Sequence, residues 1–248
     1  MSGHSKWHNI QKTKGAQDAK RSAAFTKIAK EIIVAVKQGG SGDPNNNSRL
    51  ATVIAKAKAA NVPNENIERI IKKAAGETGG NNYEELIYEG YGPNGVAVVV
   101  ETLTDNRNRT AGEMRHYFDK CGGNLGQSGS VMFMFDRFGV IIVEKDGVDE
   151  EKLMEDAIEC GATDFLTDDE EIFEIRTEPN DLGAVSGDLE AKGYKFVSAE
   201  VAYIPQTYTR LEDQDQMKQM SRMLEMFEDN DDIQAVWHNW ENEDEYEG

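Results

Sequence analysis

The hydrophobic period of this chain is helical throughout its first third and first turns to strands after it, and that division limits what it can fold into. From Ala16 to Gln38 the apolar residues Phe25, Ile28, Ala29, Ile32 and Val36 recur at helical spacing. Gly39-Gly40 stops that helix, and a polar loop covers 41–47. Leu50, Ile54 and Ala57 share the face of a second helix, which Ser48 is placed to cap and Asn61 to end. Pro63-Asn64 opens a third, with Ile67, Ile70, Ile71 and Ala74 at i, i+3, i+4 and i+7 before Gly76. Three short amphipathic helices can bury their stripes only against each other or against a partner. Past Gly79-Gly80-Asn81-Asn82, read as a hinge, the period falls toward two and the chain must build sheet.

Residues 85–91 and 96–104 read as strands joined by the turn cluster Gly92-Pro93-Asn94-Gly95, followed by a helix over 111–121 and a strand over 130–135. The next section is the most regular: strand 138–144, helix 149–160, strands 163–166 and 172–176 about an Asp168-Asp169 turn, a helix capped at Asn180-Asp181, and strand 194–203. This is the βαββαβ order of a split-βαβ sandwich. A strand over 207–210, a helix over 212–228 with Met217, Met220, Leu224 and Phe227 on one face, and a strand over 233–237 supply what the 83–135 unit lacks. The expected fold is α+β, with an N-terminal three-helix domain at 1–80 and two ferredoxin-like α/β sandwich domains. One of these, 136–205, is inserted into the other, 81–135 and 206–248. Residues 225–248 hold ten acids and no Lys or Arg, so their end is expected to be a solvated tail.

Charge follows the same division. The 248 residues carry −19, yet the first 79 hold 14 Lys/Arg against six acids, a local +8 that leaves −27 on the remainder. A basic arm commonly meets nucleic acid, whereas an acidic body stays soluble and avoids it. Residues 1–20 are polar, basic and non-periodic, an arm that is loose unless something holds it. Lys20, Lys27, Lys30 and Lys37 cluster within roughly 100° on the helix side opposite the apolar stripe. The candidate phosphate contacts are therefore Lys6, Lys12 and Lys14 on the arm and Lys20, Arg21, Lys27 and Lys30 on the helix, with Trp7 placed to stack on a base. The competing reading is that these lysines solvate a helical face.

A second candidate lies at Asp105-Asn106-Arg107-Asn108-Arg109-Thr110, between a strand and a helix. Free N–H groups at a helix start suit a phosphate, and Arg107 and Arg109 add planar donors. The alternative, equally weighted, is that both arginines pair with nearby acids.

Other function classes find little support. There is no GxxxxGK[ST], HExxH or GxSxG motif and no EF-hand loop, so no catalytic residues and no cofactor are expected. His4 and His8 stand at i, i+4 without a third ligand nearby, and no metal site is expected. The clusters 168–171 and 228–232 would suit a metal-dependent enzyme only if folded together. Cys121 and Cys160 form no CxxC pair, which fits a reducing compartment. No apolar run, Val96 to Val100 included, exceeds five residues, so no membrane span is expected, and the N-terminus lacks a signal core.

Gly3-His4-Ser5-Lys6-Trp7, Ala16-Gln17-Asp18-Ala19-Lys20-Arg21 and Phe25-Thr26-Lys27 closely resemble the opening of the YebC/PmpR family. So do Gly42-Asp43-Pro44, Ala60-Asn61-Val62-Pro63, Ile67-Glu68-Arg69, Tyr88-Glu89-Gly90-Tyr91-Gly92-Pro93 and Leu103 through Thr110. Gly122-Gly123, Leu125-Gly126 and Gly129-Ser130-Val131 complete a match over nearly the whole chain. The resemblance implies three domains and a cytoplasmic, non-enzymatic regulator of gene expression. Members are commonly labelled probable transcriptional regulators that bind DNA. Relatives, including a mitochondrial translational activator, act in translation, and bacterial members are linked to ribosomes stalled at proline runs. The expected partner is thus nucleic acid, either DNA or rRNA/tRNA on the ribosome, with no membrane partner and a monomer favoured. The acidic body, repelled by a long duplex, tilts the physical argument toward RNA.

Overall fold

The computed structural model describes residues 17–76 and 83–246, with side chains from Ala24 onward. Seven α-helices and eight strands stand among the described residues, and the strands form two four-stranded antiparallel sheets. The chain forms two compact units, one of 1–79 with 137–202 and one of 80–136 with 203–248.

In the first unit, helices α1 (Gln17–Gly39), α2 (Ser48–Ala59) and α3 (Asn64–Gly76) bury one shared core. Ile28, Ile32 and Val36 of α1 meet Leu50, Val53 and Ala57 of α2 and Ile67 and Ala74 of α3. The cap of α2 is Asn47, one residue before the Ser48 expected from sequence. Its Oδ1 accepts the Leu50 N–H at 3.0 Å, while its Nδ2 donates to the Ala35 and Ser41 carbonyls, both at 2.9 Å. An amide can cap one helix and tie down the end of another at once; a hydroxyl at 48 offers neither reach nor a second donor. A Cβ on Gly39 would come within 2.3 Å of that amide, so the close approach requires glycine there.

The same unit contains β4 (Phe135–Glu144), α5 (Glu150–Glu159), β5 (Asp164–Leu166), β6 (Ile172–Thr177), α6 (Leu182–Ala191) and β7 (Ser198–Pro205), with residues 135–136 and 203–205 belonging to the second unit. The sheet order is β5-β6-β4-β7, the ferredoxin-like arrangement. The last strand opens at Ser198, four residues later than its apolar pattern predicts. Ala55 and Ala59 of α2 join the core of this sandwich beside Leu182, Val185 and Leu189 of α6. The helices touch closely: a Cβ on Gly183 would lie 2.7 Å from that of Ala51.

In the second unit, β1 (Glu84–Tyr91) and β2 (Ala97–Thr104) form a hairpin, followed by α4 (Arg107–Lys120) and the two-residue β3 (Asn124–Leu125). Helix α7 (Gln214–Glu228) and strand β8 (Ile233–His238) complete it. The order β3-β1-β2-β8 repeats that of the other sheet, with the opening strand β1 in the place filled there by β6. Met114 and Phe118 of α4 and Met217, Met220, Met223 and Phe227 of α7 cover one face over Val98 and Val100. The methionine stripe is core.

Three sequence expectations are corrected here. Strand β4 begins at Phe135, and residues 130–134 do not form the strand expected over 130–135. A 3-10 turn, Met132–Met134, replaces it, because the N–H groups of Gly129, Val131 and Met132 all donate to the Glu89 carboxylate instead of to a neighbouring strand. Residues 207–210 make one isolated bridge, Thr209 to Trp240, rather than a strand. The acidic C-terminal stretch is no solvated tail through residue 246, since Asn239, Trp240 and Asn242 are buried. Asn239 accepts the Ala97 N–H at 2.7 Å, Asn242 holds both N–H and C=O of Leu211, and Arg210 pairs with Glu245. The hinge expected at 79–82 lies outside the described residues.

Candidate nucleic-acid interface

Of the candidate contacts read from sequence, Lys6, Trp7, Lys12 and Lys14 lie outside the described residues, and so do the side chains of Lys20 and Arg21 on α1. Lys27 and Lys30 are half-buried on α1, and Lys37 is exposed in its last turn. Ile28, Ile32, Ala35 and Val36 of the same helix enter the core. Elsewhere in the helical segment Lys56 pairs with Glu31 and Lys58 with Glu190, each at 2.6 Å. On α3, Arg69, Lys72 and Lys73 are exposed, and Arg69 donates to Asn66 at 3.0 Å.

The second candidate occupies the start of α4. Asn106 caps the helix by accepting the Arg109 N–H at 3.1 Å. Arg107 is exposed there. Arg109 takes the ion-paired alternative: its Nη2 donates to Asp232 at 2.6 Å and to Asp105 at 3.1 Å. Asp232 is 7 % exposed and also accepts from Thr104 and Thr110 at 3.0 and 3.1 Å. Burial pushes its carboxyl up, but the bonds from Arg109, Thr104 and Thr110 together outweigh this and hold it below the usual carboxylate range. The bond to Asp232 in turn holds Arg109 more firmly charged. Sequence reading placed Asp232 in a solvated acidic run; nothing local marks it, because its partners lie more than 120 positions away.

The acidic Asp168-Asp169 cluster is a structural turn. Asp169 closes its turn by accepting the Glu171 and Ile172 N–H groups. Among the described residues no group of three or more His, Cys, Asp or Glu is placed to hold a metal ion. None of the described helices is long and apolar enough to cross a membrane.

Residues 5–77 match the model of the TACO1/YebC protein N-terminal domain, and residues 83–240 match that of the TACO1/YebC second and third domain. The chain belongs to the TACO1/YebC family. A relative from Ruminiclostridium cellulolyticum, named "Probable transcriptional regulatory protein", is 58% identical over 248 residues, covering 100% of this chain and 99% of that one. Another with the same name, from Persephonella marina, is 56% identical over 241 residues, 97% of this chain and 96% of its own. A solved structure, that of a conserved hypothetical protein from Aquifex aeolicus, is similar with a TM-score of 0.77 at 46% identity, over 90% of this chain and 91% of that one. The family division at 77–83 coincides with the change of hydrophobic period.

Proposed function

We propose that this protein is a cytoplasmic, non-enzymatic regulator of gene expression that grips nucleic acid through its N-terminal cations. Lys6, Lys12 and Lys14 of the arm, with Lys20, Arg21, Lys27 and Lys30 of α1, contact phosphates, and Trp7 stacks on a base. Arg107 adds a further phosphate contact at the start of α4, on a turn that Arg109 fixes through Asp232. One observation carries the reading: +8 is gathered in the first 79 residues of a chain whose remainder bears −27. Binding of DNA to regulate transcription is the first form of it; the names of the relatives support a transcriptional role.

A second form, binding of RNA on the ribosome, draws on the charge of the body. A long duplex runs past the small basic footprint and meets repulsion from −27, whereas a ribosomal pocket offers protein surface as well as RNA. Cross-linking in cells, followed by identification of the attached nucleic acid, separates the two. Promoter fragments support the first form and ribosomal RNA the second; absence of any attached nucleic acid overturns the proposal.

A further inference from the structure

The longest stretch of this chain without Asp, Glu, Lys, Arg or His runs from Cys121 to Phe135, fifteen residues in a sequence that is 29% charged. It ends in the loop that replaces the expected strand, and that loop is built to keep one shape. Glu89, 4 % exposed on β1, accepts the N–H groups of Gly129, Val131 and Met132 at 2.6, 2.9 and 2.8 Å. Its own carbonyl accepts the Gly126 N–H at 2.8 Å, and the Tyr91 hydroxyl donates to the Ser130 carbonyl at 3.0 Å. Gly129 turns the chain at φ +85°, a conformation that glycine adopts without strain. The 3-10 turn closes with Met134 N–H on the Val131 carbonyl, and the Gln206 N–H holds the Met134 carbonyl.

The result is an alternation about one projecting side chain. Val131 and Phe135 are buried, at 0 % and 7 %, and between them Phe133 is 70 % exposed, the most exposed large hydrophobic residue among those described. Folding has ample means to cover a phenylalanine, yet here a buried carboxylate and the three main-chain N–H groups it accepts hold one outward. Half-buried methionines, Met132 and Met134, flank it and add soft, polarisable surface.

We propose that Phe133 is a stacking platform for an unpaired nucleobase. The inference rests on the nucleic-acid reading and adds a second contact, chemically unlike the first. A surface that meets a polyanion within a strongly acidic protein must first be rid of acids, and this loop is free of them. It also lacks cations, so it holds no phosphate by charge; what it offers is the face of a ring, which every base can meet when it is unpaired and none can meet inside a duplex. Because the loop is already fixed by Glu89, little conformational freedom remains to be lost on binding.

The test uses the full chain and two fluorescein-labelled probes, a 12-nucleotide single-stranded RNA and a blunt duplex of the same sequence, read by anisotropy. The wild type prefers the single strand. Phe133→Ala weakens single-strand binding about 10-fold, leaves duplex binding unchanged, and leaves the thermal unfolding midpoint in place because the ring is exposed. Phe133→Trp retains binding and adds a tryptophan signal that the single strand quenches. Lys27→Glu with Lys30→Glu weakens both probes and serves as the control for the phosphate grip. If that control loses binding while Phe133→Ala binds the single strand as the wild type does, stacking is overturned and the basic grip stands. If the control binds both probes unchanged, the grip itself fails. A benzoylphenylalanine at 133 that cross-links in cells to protein rather than to nucleic acid also overturns the proposal, in favour of an apolar protein pocket.

Discussion

Arg109 and Asp232 stand 123 positions apart in the chain, and the guanidinium Nη2 of the first donates to Oδ2 of the second over 2.6 Å. The same oxygen takes the Thr104 and Thr110 hydroxyls, so one carboxylate ties the end of β2, the start of α4 and the entry to β8 together. Asp232→Asn keeps one oxygen able to take the place of Oδ2 but removes the charge that strengthens the bonds from Arg109, Thr104 and Thr110, at a cost of about 1.5–3 kcal/mol. The sign of the pH dependence follows from the lowered carboxyl of Asp232. A depressed folded pKa contributes stability that is complete above the ordinary carboxylate value of about 3.9 and is lost as pH falls through the folded value. Urea unfolding of wild type and variant between pH 7 and pH 2 should therefore show a gap that is full at neutrality and narrows below about pH 4. A gap independent of pH would contradict the ionised network.

Glu89 supports a loop rather than a helix. Glu89→Gln keeps the size but leaves a main-chain N–H facing an amide nitrogen, and the expected cost is about 2–3 kcal/mol. Hydrogen exchange locates it: the amides of Gly129, Val131 and Met132 should lose protection while those of β2 keep theirs. Unchanged protection at these three positions would mean that other contacts hold the loop.

The acidic C-terminus is a structural element. Trp240 is 1 % exposed, and its indole N–H donates to Asn242 at 3.1 Å. Trp240→Ala should cost about 3–5 kcal/mol, the usual range for emptying a large buried aromatic site. A denaturation midpoint equal to that of the wild type would restore the solvated-tail reading.

Packing of α2 on α6 depends on Gly183. A Cβ there meets the Ala51 Cβ at 2.7 Å and Ala51 and Thr52 backbone atoms at 2.9 Å. Because backbone cannot rotate away, Gly183→Ala should destabilise by about 1–3 kcal/mol despite its better helix propensity. Relief by Ala51→Gly should be partial, since the backbone contacts remain; complete relief would place the clash in the side chain alone.

The parts of the fold that were legible are those written in neighbouring residues. Phe25, Ile28, Ile32 and Val36 mark α1 by their spacing, and Gly39-Gly40 marks its end. Asp149 caps α5 by accepting the Lys152 N–H, as its position before a periodic stretch predicts. What was not legible depends on residues far apart. The alternation of Val131, Phe133 and Phe135 has the period of a strand, and only Glu89, some forty positions earlier, makes it a loop. Composition pointed the wrong way at the C-terminus, where ten acids obscured the burial of Asn239, Trp240 and Asn242. In the candidate site, the position of Arg107 and Arg109 at a helix start was readable; which of them an acid would engage was decided by Asp232, from the other end of the chain.

The central claim is that the N-terminal cations hold a polyanion, and the salt dependence of binding tests it most directly. With about six phosphates neutralised, the association constant for a nucleic-acid ligand should fall roughly 10³-fold between 50 and 200 mM salt. Lys27→Glu with Lys30→Glu should make that dependence shallower while circular dichroism shows the helices intact. An association constant that stays flat across the same range, or a slope that the double substitution leaves untouched, would contradict the account.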